Sequence, residues 1–429
     1  MRLTILHGVS LAILLGLGGC GGDGRRDPVP TPDPAETPTT IPPVEDDPQP
    51  TTDLLSGSFS SPIEGLSFVS GSTEGITDVN GGFMYEDGST VTFSLGGIEF
   101  GEVTGQELVT LVDLVGAGIR DVRVQNINRL LLALDTDNDN SNGIQISEAV
   151  QAIADNFPQP DFTIETFSGE VSTILSDVAT ADNRTPVLPG FGESDEILTS
   201  SLACLYSGVF SGTFSGDDRG VFNLLIQHER FEPNAPNIAP LVGVTSGAIF
   251  STLENVQFFS LPREGLSFNP ERSVVTGDVT SGAEFNGEFD ETLTMVSGVW
   301  ENGVFDGTFT GERKAGNISA IHRLSGFFNS FALPLSITSA GNLALDIFAD
   351  NSVSGIAVTF GGEETELIGS FSNGMINVSG GVYNFTLSVD LDGTDPSNDA
   401  FLGNTSGFLG SFSDQNGPGN VIGTNCRLN

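Results

Sequence analysis

The strongest chemical signal in the chain lies between Asp135 and Glu148, where acidic and amide side chains alternate through a glycine-containing loop. Hard divalent cations take about six to eight oxygen ligands, and carboxylates on every second residue of a loop present such oxygens to one point. With Asp137 as position one, Asp139 falls at three, Ser141 at five, the Gly143 carbonyl at seven, apolar Ile144 at eight, Gln145 at nine and Glu148 at twelve. A second frame begins at Asp135 and alternates Asp135, Asp137 and Asp139 within a longer loop. Both frames point to calcium as a structural cofactor, and the sequence leaves the choice between them open. In the first frame the sharp turn at position six falls on Asn142, with Gly143 one place late, and Asn tolerates left-handed backbone. The alternative is a solvated turn rich in Asn and Asp.

The first frame is similar to most of an EF-hand loop, and its flanks have the matching periodicity. Val124, Ile127, Leu131 and Leu134 recur at helical spacing before it, and Ile146, Val150, Ile153 and Phe157 do so after it. Two short helices therefore flank the loop. Stretches near 168–179 and 195–205 also suit helices, with Pro158, Pro160, Pro186 and Pro189 as breaks. A second acidic stretch, Asp390 to Asp392 and Asp395 to Asp399, reads as a surface turn.

Catalytic chemistry finds little support. Beyond the first residues the histidines are His228 and His322, in no spacing that suits zinc. No Ser stands in a Gly-x-Ser-x-Gly elbow. Paired carboxylates for glycoside chemistry are not singled out by any spacing among 56 acids. The net charge of −41, with Lys314 the sole lysine, repels phosphate backbones and excludes nucleic acid as a partner.

The chain opens with Arg2 and an apolar run from Leu3 to Leu17, shorter than the roughly 20 residues a spanning helix needs. Leu17-Gly18-Gly19-Cys20 follows, and it resembles a bacterial lipobox. That resemblance implies cleavage before Cys20 and attachment of fatty chains to it, so the membrane is a partner through an N-terminal lipid. Gly21 is not the Asp that resembles an inner-membrane retention signal, which favours the outer membrane, on its periplasmic or surface face. Nine prolines between Pro28 and Pro50 mark a stalk that can hold a body roughly 100 Å from its anchor. In an oxidising compartment Cys204 and Cys426 are expected to pair, joining a first strand to the last.

The rest alternates. Val91, Phe93 and Leu95, and later Tyr383, Phe385, Leu387, Val389 and Leu391, have strand periodicity, and hairpin signals stand at Asn80-Gly81, Asp87-Gly88, Asn286-Gly287, Asn302-Gly303, Asp306-Gly307, Asn373-Gly374 and Asp392-Gly393. A weak duplication matches Ser207 to Phe210 with Ser325 to Phe328, and Gly307 to Thr310 with Gly410 to Ser413. The runs Ser61 to Phe68, Gly75 to Asp78, Gly81 to Tyr85 and Ile119 to Ile127 resemble uncharacterised outer-membrane lipoproteins of marine gammaproteobacteria. The expected fold is mainly β with a small helical insert: a signal at 1–19, a lipidated stalk at 20–53, a β module without helices at 54–120, a helical segment at 121–203, and antiparallel β units, barrel or sandwich, at 204–317 and 318–429. The expected function is non-catalytic binding or adhesion to a protein or glycan. The alternatives are a lipocalin-like carrier of a small apolar ligand, lined by some of the 31 Phe residues, and an extracellular hydrolase.

Overall fold

The computed structural model describes residues 54–139, 142–229, 242–260, 262–277, 282–316, 320–330, 340–389, 391 and 407–428. All belong to the compact body that runs from Thr52 to Asn429. Cys20, the stalk, Ser141 and the acidic residues of the Asp390–Asp399 stretch lie outside the described residues. The fold is mainly β with a small helical insert.

The N-terminal strands form two small sheets. In one, Leu54–Phe59 lies between Gly82–Glu86 and Leu108–Val109; in the other, Thr73–Ile76, Ser67–Ser70, Thr90–Leu95 and Ile98–Thr104 follow one another. One face of each is apolar because alternate residues such as Val91, Phe93 and Leu95 point inward. Against the expectation of a module without helices, α1 (Leu111–Val115) ends it, closed by a capping box between Thr110 and Asp113.

Helix α2 (Val122–Leu134) is buried on nearly every side. Its polar side chains are therefore spent on neighbouring backbone. Gln125 donates to the Ile119 carbonyl, Asn126 to those of Phe162 and Ile164, and Asn128 to Ser194. It packs against α5 (Ser172–Asp182) and α6 (Phe191–Tyr206), while α3 (Glu148–Gln151) and α4 (Phe167–Glu170) pack on α5. The helix expected from Ile146 to Phe157 is shorter than its periodicity implied: α3 has four residues, and a 3-10 turn at Ala154–Asn156 follows.

Two barrel-like units complete the chain. In the first, nine strands run from Gly208–Gly216 to Asp306–Arg313, with those two paired to each other. The sheet curls until its ends meet through a bridge between Leu266 and Val274 and a hydrogen bond from Val275 N to Gly265 O. In the second, eight strands from His322–Ser330 to Gly417–Arg427 close completely, each antiparallel to its neighbours. Closure removes the edges on which chains aggregate.

Two of the expected turns are strand interior. Asn286-Gly287 lies within Glu284–Phe289, and Asp306-Gly307 begins Asp306–Arg313. Gly287 is there for approach rather than for a turn, since a Cβ would sit 2.6 Å from the Phe309 ring. Asn373-Gly374 is a true hairpin turn, with both φ values positive at 52° and 73°.

One apolar core runs without interruption from Phe59 through the helices to Phe309, whereas the second barrel has a core of its own from Leu324 to Val421. Between the barrels Val209 and Leu225 pack on Ala344, Ile356 and Val358. Hydrogen bonds from Asn223 to the Thr359 carbonyl and from Gln227 to that of Ser325 cross the same face.

Candidate functional site

The acidic loop hangs between the ends of α2 and α3. Arg184, beyond the end of α5, donates to the Ala133 and Leu134 carbonyls at 3.1 and 2.9 Å, which caps α2. It also pairs with Asp182 at 3.2 Å. Asp182 in turn accepts from the Ser147 hydroxyl, whose oxygen caps α3 by accepting from Val150 N. On the other side Ile63–Glu64 and Ile144–Gln145 pair as parallel strands, so the loop is pinned to the N-terminal module. A Cβ on Gly143, at φ 89°, would meet the Pro62 carbonyl at 2.7 Å.

Within this frame Asp135 is buried and Asp137 exposed, and the charge of Asp137 acts on Asp135. Burial raises the pKa of Asp135, while the Asn142 amide, donating at 2.8 Å, holds Asp137 low. A like charge nearby adds to the burial that favours a proton or a cation at the Asp135 carboxyl. Asp135 Oδ1 accepts from Gln145 N at 2.9 Å, but Asp135 Oδ2 and Asn142 Oδ1 are buried without a hydrogen-bond partner among the described residues. Asp139 is exposed and donates its N–H to Asp137 Oδ1. Glu148 is exposed at the start of α3. Among the described residues no three His, Cys, Asp or Glu side chains form a group able to hold a metal. The loop thus gathers Asp135, Asp137 and Asn142. It does not gather Asp137, Asp139 and Glu148. Asn142 was assigned only a turn role from sequence; the amide directly before the glycine was its one available signal.

Cys204 and Cys426 are joined, with Cα atoms 5.7 Å apart. The bond does not staple a strand to a strand, as the sequence suggested, because Cys204 lies in the last turn of α6. That helix end is heavily capped. Arg313 and Arg323 both donate to the Leu205 carbonyl, at 2.9 and 3.2 Å, and Arg323 pairs with Asp346 at 2.9 Å. Arg313 also lies over the Phe210 ring, and burial together with the Arg323 charge depresses its pKa to about 9.

These groups border a cleft of 620 Å³ at the junction of the N-terminal module and the two barrels. Its walls include Glu107, Lys314, Asp346 and the exposed Ile368. Lys314 is bound to Glu364 at 3.1 Å and to Glu312 at 3.4 Å. Arg313 joins the first barrel to the end of α6, and Lys314 joins it to Glu364 of the second.

Ser200 of α6 and His228 are 2.7 Å apart through Oγ and Nε2, and His228 Nδ1 has no partner among the described residues to act as the third member of a catalytic triad. Burial lowers the His228 pKa to about 4. The folded pKa is below the unfolded one of about 6.5, so protonation favours the unfolded chain. Stability is expected to be flat above pH 6.5 and to fall by about 3 kcal/mol by pH 4 on account of this residue. Urea unfolding of wild type and His228→Gln at pH 7 and pH 4.5 reads the difference, and equal pH slopes would refute the assignment.

The barrel interiors are packed. In the second, Phe328 contacts Tyr383, Phe385 and Phe412 at ring distances of 5.6, 5.5 and 5.0 Å. In the first, a cavity of 30 Å³ lies against Phe222, Leu224, Phe285 and Phe309, room for about one water.

No family model and no curated protein sequence matches the chain. Among solved structures, kievitone hydratase from Nectria haematococca aligns over 53% of this chain and 90% of its own, at 8% identity and a TM-score of 0.20. A protein of unknown function from Nostoc punctiforme aligns over 53% and 98%, at 9% identity and a TM-score of 0.17. A mutant of the vaccine antigen transferrin binding protein B from Haemophilus parasuis aligns over 48% of this chain and 61% of its own, at 7% identity and a TM-score of 0.17. Likenesses this slight assign neither family nor activity.

Proposed function

We propose that the chain is a lipid-anchored, non-catalytic binding protein of the outer membrane, tethered by Cys20 and using its outer surfaces rather than its barrel interiors. The filled cores carry this reading. A carrier of a small apolar ligand needs a pocket of about 300 Å³ or more, and the first barrel's cavity is 30 Å³. The Ser200–His228 pair, without a third member among the described residues, supports the non-catalytic part. Exposed apolar side chains at Val304, Phe305 and Leu253 give a partner something to hold.

The anchor is tested by Cys20→Ser in the native host. Wild type is expected in the membrane fraction with the added mass of its acyl chains, and the variant in the soluble fraction. Unchanged partitioning would end the lipoprotein reading. The barrel interiors are tested with a fluorescent fatty acid, where uptake of one equivalent per chain would restore the carrier.

Calcium in the acidic loop is the second part of the proposal. The unpartnered oxygens of Asp135 and Asn142, beside Asp137, suit a hard cation, and the frame beginning at Asp135 is the better supported. Its role would be to fix the ends of α2 and α3. Millimolar calcium is expected to raise the melting temperature of wild type by several degrees, about 1–2 kcal/mol, and to leave Asp135→Asn unmoved. The absence of any heat or melting response in the wild type would remove the cofactor.

A further inference from the structure

At the end of the first barrel bounded by the Asp217–Asp218 turn and the Trp300 to Phe305 hairpin there is a recess of 160 Å³. Aromatic rings form its wall. Trp300 stands 5.8 Å from Phe214 at a steep angle and 6.4 Å from Phe285 nearly parallel. The indole N–H is committed to the Ser215 carbonyl at 3.1 Å, so Trp300 offers the recess carbon and π density and no donor. Asp217, Asp218 and Glu254 line the same space. Asp217 accepts from Asp306 N, and Asp218 from Ser251 Oγ and Arg219 N. Among the described residues none of the three takes part in an ion pair. The lip is apolar and open, with Leu253 and Phe305 exposed by 56 and 52%.

We infer that this recess binds a small organic cation, an alkylated ammonium group. Rings carry negative charge on their faces and attract a cation whose hydration is weak, while carboxylates at the rim add charge complementarity. An anion is repelled by the same carboxylates. A hydrated metal ion gains nothing from carbon walls. A neutral apolar molecule suits the wall but strips water from the rim. In size the recess matches the cavity of about 150 Å³ known to take a benzene ring, which also suits a trimethylammonium group. The inference gives the binding role a ligand class and rests on that role; its failure would leave the anchor at Cys20, read by fractionation, untouched.

Trp300 is the chain's only tryptophan, so its emission reports on the recess directly. The full chain in detergent is titrated with choline chloride, with sodium chloride at equal ionic strength, and with dimethylbutanol, choline's neutral carbon isostere. Choline is expected to change the emission saturably, the isostere to act at least about tenfold more weakly, and sodium chloride to do nothing. Asp217→Asn with Asp218→Asn keeps the turn's acceptor oxygens and is expected to weaken choline about tenfold while sparing the isostere. Phe305→Ala, on the exposed lip, is expected to weaken both, with circular dichroism confirming the fold. Vesicles of phosphatidylcholine and of phosphatidylglycerol separate the sources. A response to the first and not the second extends the site to lipid headgroups, and a response to free choline alone confines it to soluble amines. No saturable response from either source, an equal response to the isostere, or one reproduced by sodium chloride would overturn the assignment.

Discussion

Cys204→Ser with Cys426→Ser is expected to lower the free energy of unfolding by about 5 kcal/mol, since the bond spans 222 residues and the unfolded chain regains the freedom of a very large loop. The model that gives this figure is entropic, and compactness of the reduced, unfolded chain reduces the loss. Position sharpens the expectation. The bond ties the last turn of α6, which belongs to the core shared with the first barrel, to the final strand of the second barrel. Its loss therefore loosens one block from the other before either melts. Guanidinium unfolding of the double variant, beside wild type with and without reductant, measures the effect. A change below about 1 kcal/mol would mean that the packing between the barrels holds them without the bond.

Asp346→Ala is expected to cost about 3–5 kcal/mol, because it removes the carboxylate paired with the buried guanidinium of Arg323, next to the buried Arg313. The pair's side chains are 2 and 4% exposed, so water cannot replace the lost carboxylate. Replacing both members, Arg323→Met with Asp346→Leu, is expected to recover most of the loss, since neither member of the pair is left facing the other's absence and Arg313 loses a repelling and an attracting charge together. Arg323's bond to Leu205 would go with it, which keeps the recovery incomplete. Unfolding of the two single variants and the double measures the coupling. If the double variant were as unstable as Asp346→Ala, the stranded charge would not be the cause.

The sequence spoke most clearly where side-chain alternation and burial coincide. Tyr383, Phe385, Leu387 and Val389 alternate without interruption, and all four point into the closed barrel. Asn373-Gly374 announced its hairpin because only left-handed backbone makes that turn. Asn286-Gly287 carried the same dipeptide for another reason, the clearance of Phe309, and a local reading has no access to a ring that arrives from a distant strand. The length of α3 was misread for a related reason. Ile153 and Phe157 keep helical spacing, but the chain between them turns tightly to place the Ala154 carbonyl against Gly97 N. The helix at Leu111–Val115 was missed because five residues hold too little periodicity to register, although Thr110 and Asp113 are a legible cap. In the acidic loop the alternation of Asp135, Asp137 and Asp139 was visible, and which of them turns inward was not. That depends on the Gln145 N–H at the far side of the loop and on Arg184, which lies elsewhere in the chain. The aromatic recess left no local signature at all, since Phe214, Phe285 and Trp300 come from three separate strands.

The continuous core from Phe59 to Phe309, set against the separate one behind it, fixes how the molecule comes apart. A heat ramp or a protease would meet two cooperative blocks. The larger, from the first strands to Arg313, has no seam at which a smaller piece could be excised and remain folded, while the closed barrel from His322 onward is the natural fragment to express alone.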